Sequence, residues 1–189
     1  MADPVAVKEK NKYERMWGLE KYHQRSPGMR HLEDALLKLS PKPGATIVDL
    51  GCGTGRVSAE LQKRGFGVAA VDIAENAATE FHGNFVVSPL WDLPAELGQF
   101  DYGFCADVME HIPTDHVART LECISRHAAV VYFQIANFVC HEGDEIGEHL
   151  HLTVKPIEWW KKELDKYYVL QLAVKNPKND VFICKSRAF

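Results

Sequence analysis

The chain has 189 residues, of which 46% are hydrophobic and 25% are charged, and its formal net charge is −4 at pH 7. These values predict one globular domain with a substantial core, and the negative charge disfavours a nucleic-acid or anionic-membrane partner. The five cysteines include no C-x-x-C pair, which argues against a zinc knuckle or a disulfide framework. The sequence has neither the apolar core of a signal peptide nor a run long enough to span a bilayer, so we expect a cytoplasmic protein.

The first 40 residues are predicted to form a tail and cap helices ahead of the main domain. Residues 1–12 are mostly polar or charged, which is typical of a mobile tail. Ser26 followed by Pro27 is typical of an N-cap and the first position of a helix. We therefore assign residues 1–40 to the tail and cap helices and residues 41–189 to the main domain.

A short apolar strand followed by closely spaced glycines begins the main domain. The strand is predicted over residues 46–50 and contains Asp49 near its end, and an amphipathic helix follows the glycines. Glycine has no Cβ, so such a loop lets backbone approach a nucleoside-bearing cofactor. The dinucleotide-binding fingerprint needs a glycine three residues after its second one, where this chain has Arg56. The glycines of the loop are Gly51, Gly53 and Gly55.

Strands and helices alternate through the rest of the chain. Further strands are predicted over residues 68–72, 85–87, 100–105 and 128–135. Helices are predicted over residues 74–81 and 114–126, with others ending at Gly65 and beginning at Pro156. The last two strands, 168–174 and 181–185, flank a turn-rich linker. This order predicts a Rossmann-like α/β fold, a doubly wound and mostly parallel seven-stranded sheet with a C-terminal antiparallel hairpin.

Two segments carry a resemblance to a known family. The glycine loop behind Asp49 resembles the S-adenosylmethionine (SAM) loop of the class I methyltransferases. The segment 100–113, in which Glu110 and His111 follow a strand and a short turn, resembles small-molecule enzymes related to the ubiquinone-biosynthesis O-methyltransferases. The resemblance covers roughly residues 45–185 as a fold. It implies a SAM-dependent methyltransferase with S-adenosyl-L-methionine as cofactor.

A SAM pocket must supply bare backbone for the amino-acid tail, an acid for the ribose hydroxyls and an apolar slot for adenine. Asp72 closes the second strand about 20 residues after the glycine loop, where a ribose-binding acid is expected, although it could also cap a following helix. Pro89 stands where the family has an acid beside adenine. Arg25 is predicted to pair with the SAM carboxylate. The predicted cofactor contacts are Asp49, Gly51, Cys52, Gly53, Gly55, Asp72, Ile73, Leu90, Trp91, Cys105, Ala106, Asp107, Tyr22 and Arg25.

Two histidines are candidates for the catalytic base. His111 is the first candidate and His149 the second, because a neutral imidazole can take a hydroxyl proton. Glu110 and His111 could instead be structural and tie their loop to the next helix. Residues 137–152 follow the fifth strand and are rich in histidine and acid, which predicts a lid over the acceptor. Since the H-E-x-x-H spacing is missing there, no metal site is predicted.

The predicted reaction is transfer of the SAM methyl group to an O or N atom of a small-molecule acceptor. The sequence lacks the Asn-Pro-Pro-Tyr type of signature that marks amino-methylating DNA enzymes. Two alternatives stay open. One is a non-catalytic SAM-binding protein, because the base is not assigned, and the other is a nicotinamide-dependent oxidoreductase, which Arg56 and the terminal hairpin disfavour. The sequence does not indicate the oligomeric state.

Overall fold

A seven-stranded sheet forms the centre of the chain in the computed structural model, which describes residues 3–189. The strands are β1 Thr46–Leu50, β2 Gly67–Asp72, β3 Asn84–Val87, β4 Phe100–Ala106, β5 Ala128–Ala136, β6 Tyr168–Lys175 and β7 Asn179–Ser186. Their order is β3-β2-β1-β4-β5-β7-β6. The first five strands are parallel, and β7 lies antiparallel between β5 and β6. The predicted Rossmann-like fold with a C-terminal hairpin is confirmed.

Six α-helices accompany this sheet within residues 3–189. They are α1 Pro4–Trp17, α2 Glu20–His23, α3 Leu32–Leu39, α4 Arg56–Lys63, α5 Val117–His127 and α6 Ile157–Leu164. Short 3₁₀ segments add Pro27–Arg30, Ala95–Leu97, Met109–His111, Thr114–His116 and Glu142–Ile146. Within residues 3–189, no helix combines the length and the apolar character that a membrane crossing needs.

Apolar side chains cover both faces of the sheet, as the alternation of strands and helices requires. On one face, Leu121 of α5 and Trp160 of α6 pack with Phe133 of β5. On the other face, Leu32 of α3 and Leu61 of α4 pack with buried residues of β1, β4 and β5. Strand β5 is therefore buried on both sides, which is why its sequence is almost continuously apolar.

The prediction of a mobile tail over residues 1–12 is wrong for residues 3–12, while residues 1 and 2 lie outside the described part. Helix α1 begins directly after Asp3, whose side chain accepts a hydrogen bond from the amide of Val5 at 3.0 Å. The same carboxylate accepts the indole N–H of Trp91 at 2.9 Å. The lysines and glutamates that suggested a solvated tail also favour helix, and Met16 anchors the far end of α1 in the core.

The predicted helix over residues 74–81 is also wrong. The amide of Ala78 donates to the carbonyl of Gly53 at 2.6 Å, and the amide of Glu80 donates to the carbonyl of Thr54 at 2.9 Å. These bonds take the amides that a helix would use, and Ala78 has a positive φ of 50°. The segment therefore braces the glycine loop.

Smaller differences concern two helix starts. Ser26 makes no side-chain capping bond, and a 3₁₀ turn at Pro27–Arg30 precedes α3. The helix predicted over residues 114–126 begins as a 3₁₀ turn before α5. The division of the chain at residue 40 stays a prediction.

Candidate functional site

A pocket of about 220 Å³ lies where β1, β2 and β4 end. Parallel strands of an open sheet bring their carboxyl ends to one edge, where ligands of such folds bind. Helices α1 and α2 and the segment 137–151 cover the pocket. All the predicted cofactor contacts line it except Gly55 and Cys105, and their roles stay predictions. Cys105 is fully buried inside β4, and Gly55 lies at the start of α4.

Neighbouring side chains leave no space for a Cβ at two positions of the glycine loop. A Cβ on Gly51 would stand 2.5 Å from a methyl group of Val108, and the φ of Gly51 is +76°. A Cβ on Gly53 would stand 2.9 Å from the ring of Trp17, a residue of α1 that lines the pocket. Both positions therefore need glycine for reasons of fold, in addition to any contact with a ligand.

Asp72 ties the glycine loop to β2 and lines the pocket. Its Oδ2 accepts the amide of Gly53 at 3.0 Å, and its Oδ1 accepts the amide of Ala74 at 3.0 Å. Burial raises the pKa of Asp72 to about 6, although these two bonds work in the opposite direction. The carboxylate does bond the chain after β2, as the capping alternative required, but no helix follows it.

Asp49 lies deeper, at the end of β1. Its Oδ2 accepts the hydroxyl of Ser58 at 2.6 Å, which joins β1 to α4. Burial raises the pKa of Asp49 to about 7, and the nearby charge of Asp72 adds to this shift. Two carboxylates with raised pKa values thus stand behind the glycine loop, an arrangement typical of functional sites.

Ile73, Leu90 and Trp91 form an apolar wall of the pocket. Pro89 joins this wall at the position where the resemblance implies an acid. The ring of Trp91 also contacts the ring of His116 edge to face, with the centroids 4.9 Å apart. The bond between its indole and Asp3 therefore connects this wall to the start of α1.

Histidines and a tyrosine form a polar part of the pocket lining. The hydroxyl of Tyr13 lies 2.8 Å from Nδ1 of His111. The rings of His111 and His151 are almost perpendicular, with centroids 4.7 Å apart. His151 Nδ1 donates to the carbonyl of Phe138 at 2.6 Å. Burial lowers the pKa of His111 to about 3, so its imidazole is neutral at physiological pH.

Glu110 lies next to this polar part of the pocket lining. Its backbone carbonyl accepts the amides of Leu152 and Thr153 at 2.8 and 2.9 Å, which ties the turn after β4 to the segment 137–152. Its carboxyl group is fully buried, and neither oxygen has a hydrogen-bond partner within residues 3–189. Burial and the neighbouring Asp107 raise the pKa of Glu110 well above its usual range. Ligating atoms of Glu110, His111 and His151 lie within 4.8 Å of one another.

A row of ion pairs joins the N-terminal helices to the segment after β5. We call this row the ladder, because its pairs run in antiparallel order along the two segments. Arg15 also donates to the backbone carbonyl of Ile146 at 2.6 Å. The ladder lies above the pocket and holds its two covering segments together. Its pairs are Arg15–Glu148, Lys21–Glu145 and Arg25–Glu142.

The second candidate base, His149, is exposed and does not line the pocket, whereas His151 does. Sequence reasoning also missed Arg30, which lines the pocket from Pro27–Arg30. Within residues 3–189 no acidic side chain pairs with Arg30, while the other seven arginines each form an ion pair. The spacing of Tyr13 and Trp17 predicts two aromatic side chains on one face of a helix, but Arg30 carries no comparable signal.

Comparison with known proteins supplies a family. A family model described as a methyltransferase domain matches residues 22–169. The magnesium-protoporphyrin O-methyltransferase of Rhodobacter capsulatus is 35% identical over 101 residues, which cover 47% of this chain and 44% of that protein. The ubiquinone biosynthesis O-methyltransferase of Bordetella pertussis is 29% identical over 105 residues, covering 50% and 44%. The chain thus spans less than half the length of these two curated relatives.

A solved structure extends the likeness to nearly the whole chain. The magnesium protoporphyrin IX methyltransferase from Synechocystis PCC 6803, crystallised with bound SAM, has a TM-score of 0.68. The alignment covers 98% of both chains at 17% sequence identity. At this identity the likeness concerns the fold.

Proposed function

Since this chain belongs to the methyltransferase domain family and has the class I fold, we propose that it transfers the methyl group of SAM to a small-molecule acceptor. The observation that carries the proposal is the position of Asp72. Its carboxylate lines the pocket at the end of β2 while it holds the amide of Gly53 in the loop after β1. An acid in this position can accept both hydroxyls of a ribose.

The pocket walls fit the three parts of SAM. Asp72 would hold the ribose, Ile73 and Leu90 would flank adenine, and the backbone around Gly51 would meet the amino-acid tail. Unpartnered polar atoms support a bound ligand, because buried polar groups normally have hydrogen-bond partners. The indole N–H of Trp17 and the hydroxyl of Thr54 line the pocket, and neither has a partner within residues 3–189.

The protein's contribution to the reaction is mainly positioning and exclusion of water. Bound SAM supplies a methyl group that is already activated by the positive sulfonium, so a strong base is needed only when the acceptor begins protonated. The covering helices and the segment 137–151 enclose the pocket, which keeps water from competing with the acceptor. His111 lines the pocket and is our first candidate for the proton acceptor.

We assign the SAM carboxylate to Arg30 in preference to Arg25. The guanidinium of Arg25 already pairs with Glu142. Arg30 lines the same pocket and has no acidic partner within residues 3–189, so its charge is available for a ligand. A guanidinium and a carboxylate form two parallel charge-assisted bonds, which makes this a strong contact.

This assignment predicts unequal effects of two matched substitutions. Arg30→Met should raise the Kd for S-adenosylhomocysteine about tenfold, because a charge-assisted pair contributes roughly 1.5 kcal/mol. Arg25→Met should change the Kd less than about threefold, because its loss mainly frees Glu142. Isothermal titration calorimetry would measure both. Equal effects, or a larger effect of Arg25→Met, would contradict the assignment of the SAM carboxylate to Arg30.

Cofactor binding should also depend on pH. Burial raises the pKa of Asp72 to about 6, and the ionised carboxylate accepts ribose hydroxyls better than the protonated form. The Kd for S-adenosylhomocysteine should therefore rise, by up to about tenfold, as the pH falls from 7.5 to 5. Calorimetry across this range should show a much flatter profile for Asp72→Asn. A wild-type Kd that is constant over the range would contradict the assignment.

In the free protein, the contribution of Asp72 to stability should change with pH in the opposite direction to cofactor binding. Because folding raises the pKa of Asp72 above its usual 3.8, this group's contribution to the free energy of unfolding is fully present below pH 3.8. That contribution is lost as the pH rises through about 6. The Kd for S-adenosylhomocysteine should fall over this same pH range. The increase in the free energy of unfolding that this ligand causes should therefore become larger from pH 5 to 7.5.

The activity itself is tested with methyl-labelled SAM and a panel of small acceptors. Catechol, protocatechuate, methyl glucoside and ethanolamine cover phenol, alcohol and amine nucleophiles. Transfer of label to at least one compound supports the proposal. Tight binding of SAM without transfer to any of them would favour the non-catalytic alternative, and stabilisation by NAD but not by S-adenosylhomocysteine would favour an oxidoreductase.

A further inference from the structure

Glu9 is a buried acid of α1 that lines the pocket and has no role in the assignments above. Its Oε2 forms an ion pair with Lys12, which is buried as well. Apart from this ionic contact, Oε2 has no hydrogen-bond partner within residues 3–189. A carboxylate can accept about four hydrogen bonds, so Glu9 has capacity left for a molecule in the cavity.

Lys12 compensates the charge of the Glu9 carboxylate. A carboxylate that is buried alone is costly, whereas a buried carboxylate that pairs with an ammonium is tolerated. Lys12 lies three residues after Glu9 on α1 and is not part of the pocket lining. An ionised carboxylate has no proton to donate and only accepts hydrogen bonds. The pair therefore presents a hydrogen-bond acceptor to the cavity and no donor from Glu9.

Helix α1 contacts the apolar wall at its start and the glycine loop at its end. Before its first turn, Asp3 accepts the indole N–H of Trp91 at 2.9 Å. At its last residue, the ring of Trp17 lies so close to Gly53 that a Cβ there would stand 2.9 Å from it. In the proposed function, the wall flanks adenine and the loop meets the amino-acid tail. Helix α1 thus runs between the parts of the pocket that would hold the two ends of SAM.

Three side chains of α1 face the cavity, and Glu9 is the one nearest to the apolar wall. Glu9, Tyr13 and Trp17 are four residues apart, which places them on one face of the helix, and all three line the pocket. A helix rises 1.5 Å per residue, so Glu9 lies about 12 Å along the axis from Trp17 and about 9 Å from Asp3. Glu9 therefore belongs to the half of α1 that contacts the wall.

The other four acids that line the pocket are engaged elsewhere. Asp49 and Asp72 accept the bonds that hold α4 and the glycine loop in place. Asp107 and Glu142 lie within ion-pair distance of basic side chains from the segment before β1. The apolar wall itself has no acidic side chain. Glu9 is therefore the acid that is available to a base lying against this wall.

Resting on the proposed function, we infer that Glu9 accepts a hydrogen bond from the 6-amino group of adenine when SAM binds. An amino group donates to this carboxylate, whereas a carbonyl oxygen at the same position of the base would face it as a second acceptor. A buried polar group that loses its partner in this way makes a site strongly selective. Glu9 thus determines the specificity for adenine, and it does so from a helix ahead of the sheet.

The test compares S-adenosylhomocysteine with S-inosylhomocysteine, in which a carbonyl oxygen replaces the 6-amino group. By calorimetry, the wild type should bind the inosine compound with a Kd at least about 30-fold higher. Glu9→Gln should raise the Kd for S-adenosylhomocysteine about tenfold and lower the Kd for S-inosylhomocysteine, because the glutamine amide can donate to the carbonyl oxygen. Glu14→Gln is the matched control, because Glu14 lies on the same helix, pairs with Lys10 and does not line the pocket. It should leave both Kd values within about twofold of wild type.

A second variant guards against misfolding, because Glu9→Gln leaves Lys12 buried without its partner. Glu9→Gln combined with Lys12→Met removes both charges and should show the same loss of preference for adenine. Equal weakening of both ligands would overturn the inference, since a displaced helix does not distinguish the two bases. A wild type that binds both ligands equally well would overturn it too. A wild type that binds neither ligand contradicts the proposed function itself, so the two failures are distinguishable.

Discussion

Replacing Asp72 with alanine should raise the Kd for S-adenosylhomocysteine more than tenfold, a loss of at least about 1.4 kcal/mol. The substitution removes a buried carboxylate that lines the pocket and that would accept two ribose hydroxyls. It also removes the acceptor for the amides of Gly53 and Ala74, so the glycine loop loses its bond to β2. Both effects weaken binding. Calorimetry with the purified variant would measure the change.

Asp101 offers a matched control for this experiment. Its carboxylate also accepts a backbone amide, that of Thr46, at 2.8 Å, but it lies at the opposite end of β1 from the pocket. Asp101→Ala should therefore leave the Kd within about twofold of wild type, even if stability falls. An unchanged Kd in a folded Asp72→Ala variant would show that the ribose does not bind at this carboxylate.

The half of the site that is built on strand ends could be predicted from the sequence. In a parallel sheet, the residues after neighbouring strands meet at one edge, so the glycine loop and Asp72 had to converge once the strands were recognised. The strands were recognisable because burial on both faces makes them apolar. This logic needs no knowledge of side-chain packing.

Local patterns failed where distant contacts decide the conformation. Residues 74–81 are rich in alanine and glutamate and favour helix, but the amides of Ala78 and Glu80 bond the glycine loop instead. In the opposite case, residues 3–12 suggested a tail because few of them are apolar. The few apolar side chains of α1, such as Val5 and Ala6, nevertheless pack against the main core.

For the covering half of the site, the sequence predicted a lid over residues 137–152 but not its individual contacts. Tyr13 and His111 are 98 residues apart, and no periodicity relates them. Arg30 and Arg25 are chemically identical in the sequence, and only the ion pair of Arg25 with Glu142 separates their roles. His149 and His151 are likewise two residues apart, yet only His151 lines the pocket.

Reversing the acidic side of the ladder should make S-adenosylhomocysteine dissociate about tenfold faster. An exposed ion pair contributes only about 0.2–1 kcal/mol, so one reversal should have little effect while three together should release the covering segments. The ladder joins the N-terminal helices to the segment 137–151, and both contribute to the lining of the pocket, so we expect a ligand to part them as it leaves. Stopped-flow measurement of the dissociation rate tests this expectation. The variant is Glu142→Lys, Glu145→Lys and Glu148→Lys in one chain.

Two further variants separate the ladder from a general effect of charge. Reversal of Glu96, Glu122 and Glu158, which are away from the pocket, changes the net charge equally and should leave the rate near wild type. Adding Arg15→Glu, Lys21→Glu and Arg25→Glu to the first variant restores opposite charges across the ladder and should recover most of the slow dissociation.

Salt should act in the same direction as the reversal. Surface ion pairs are screened at high ionic strength, so 1 M salt should speed dissociation from the wild type. In the reversed variant, where like charges repel, the same salt should slow dissociation or leave its rate unchanged. The antiparallel order of the pairs makes this a stringent test, because a shift of either segment breaks all three pairs at once. Dissociation that is independent of both salt and charge reversal would mean that the ligand leaves without parting these segments.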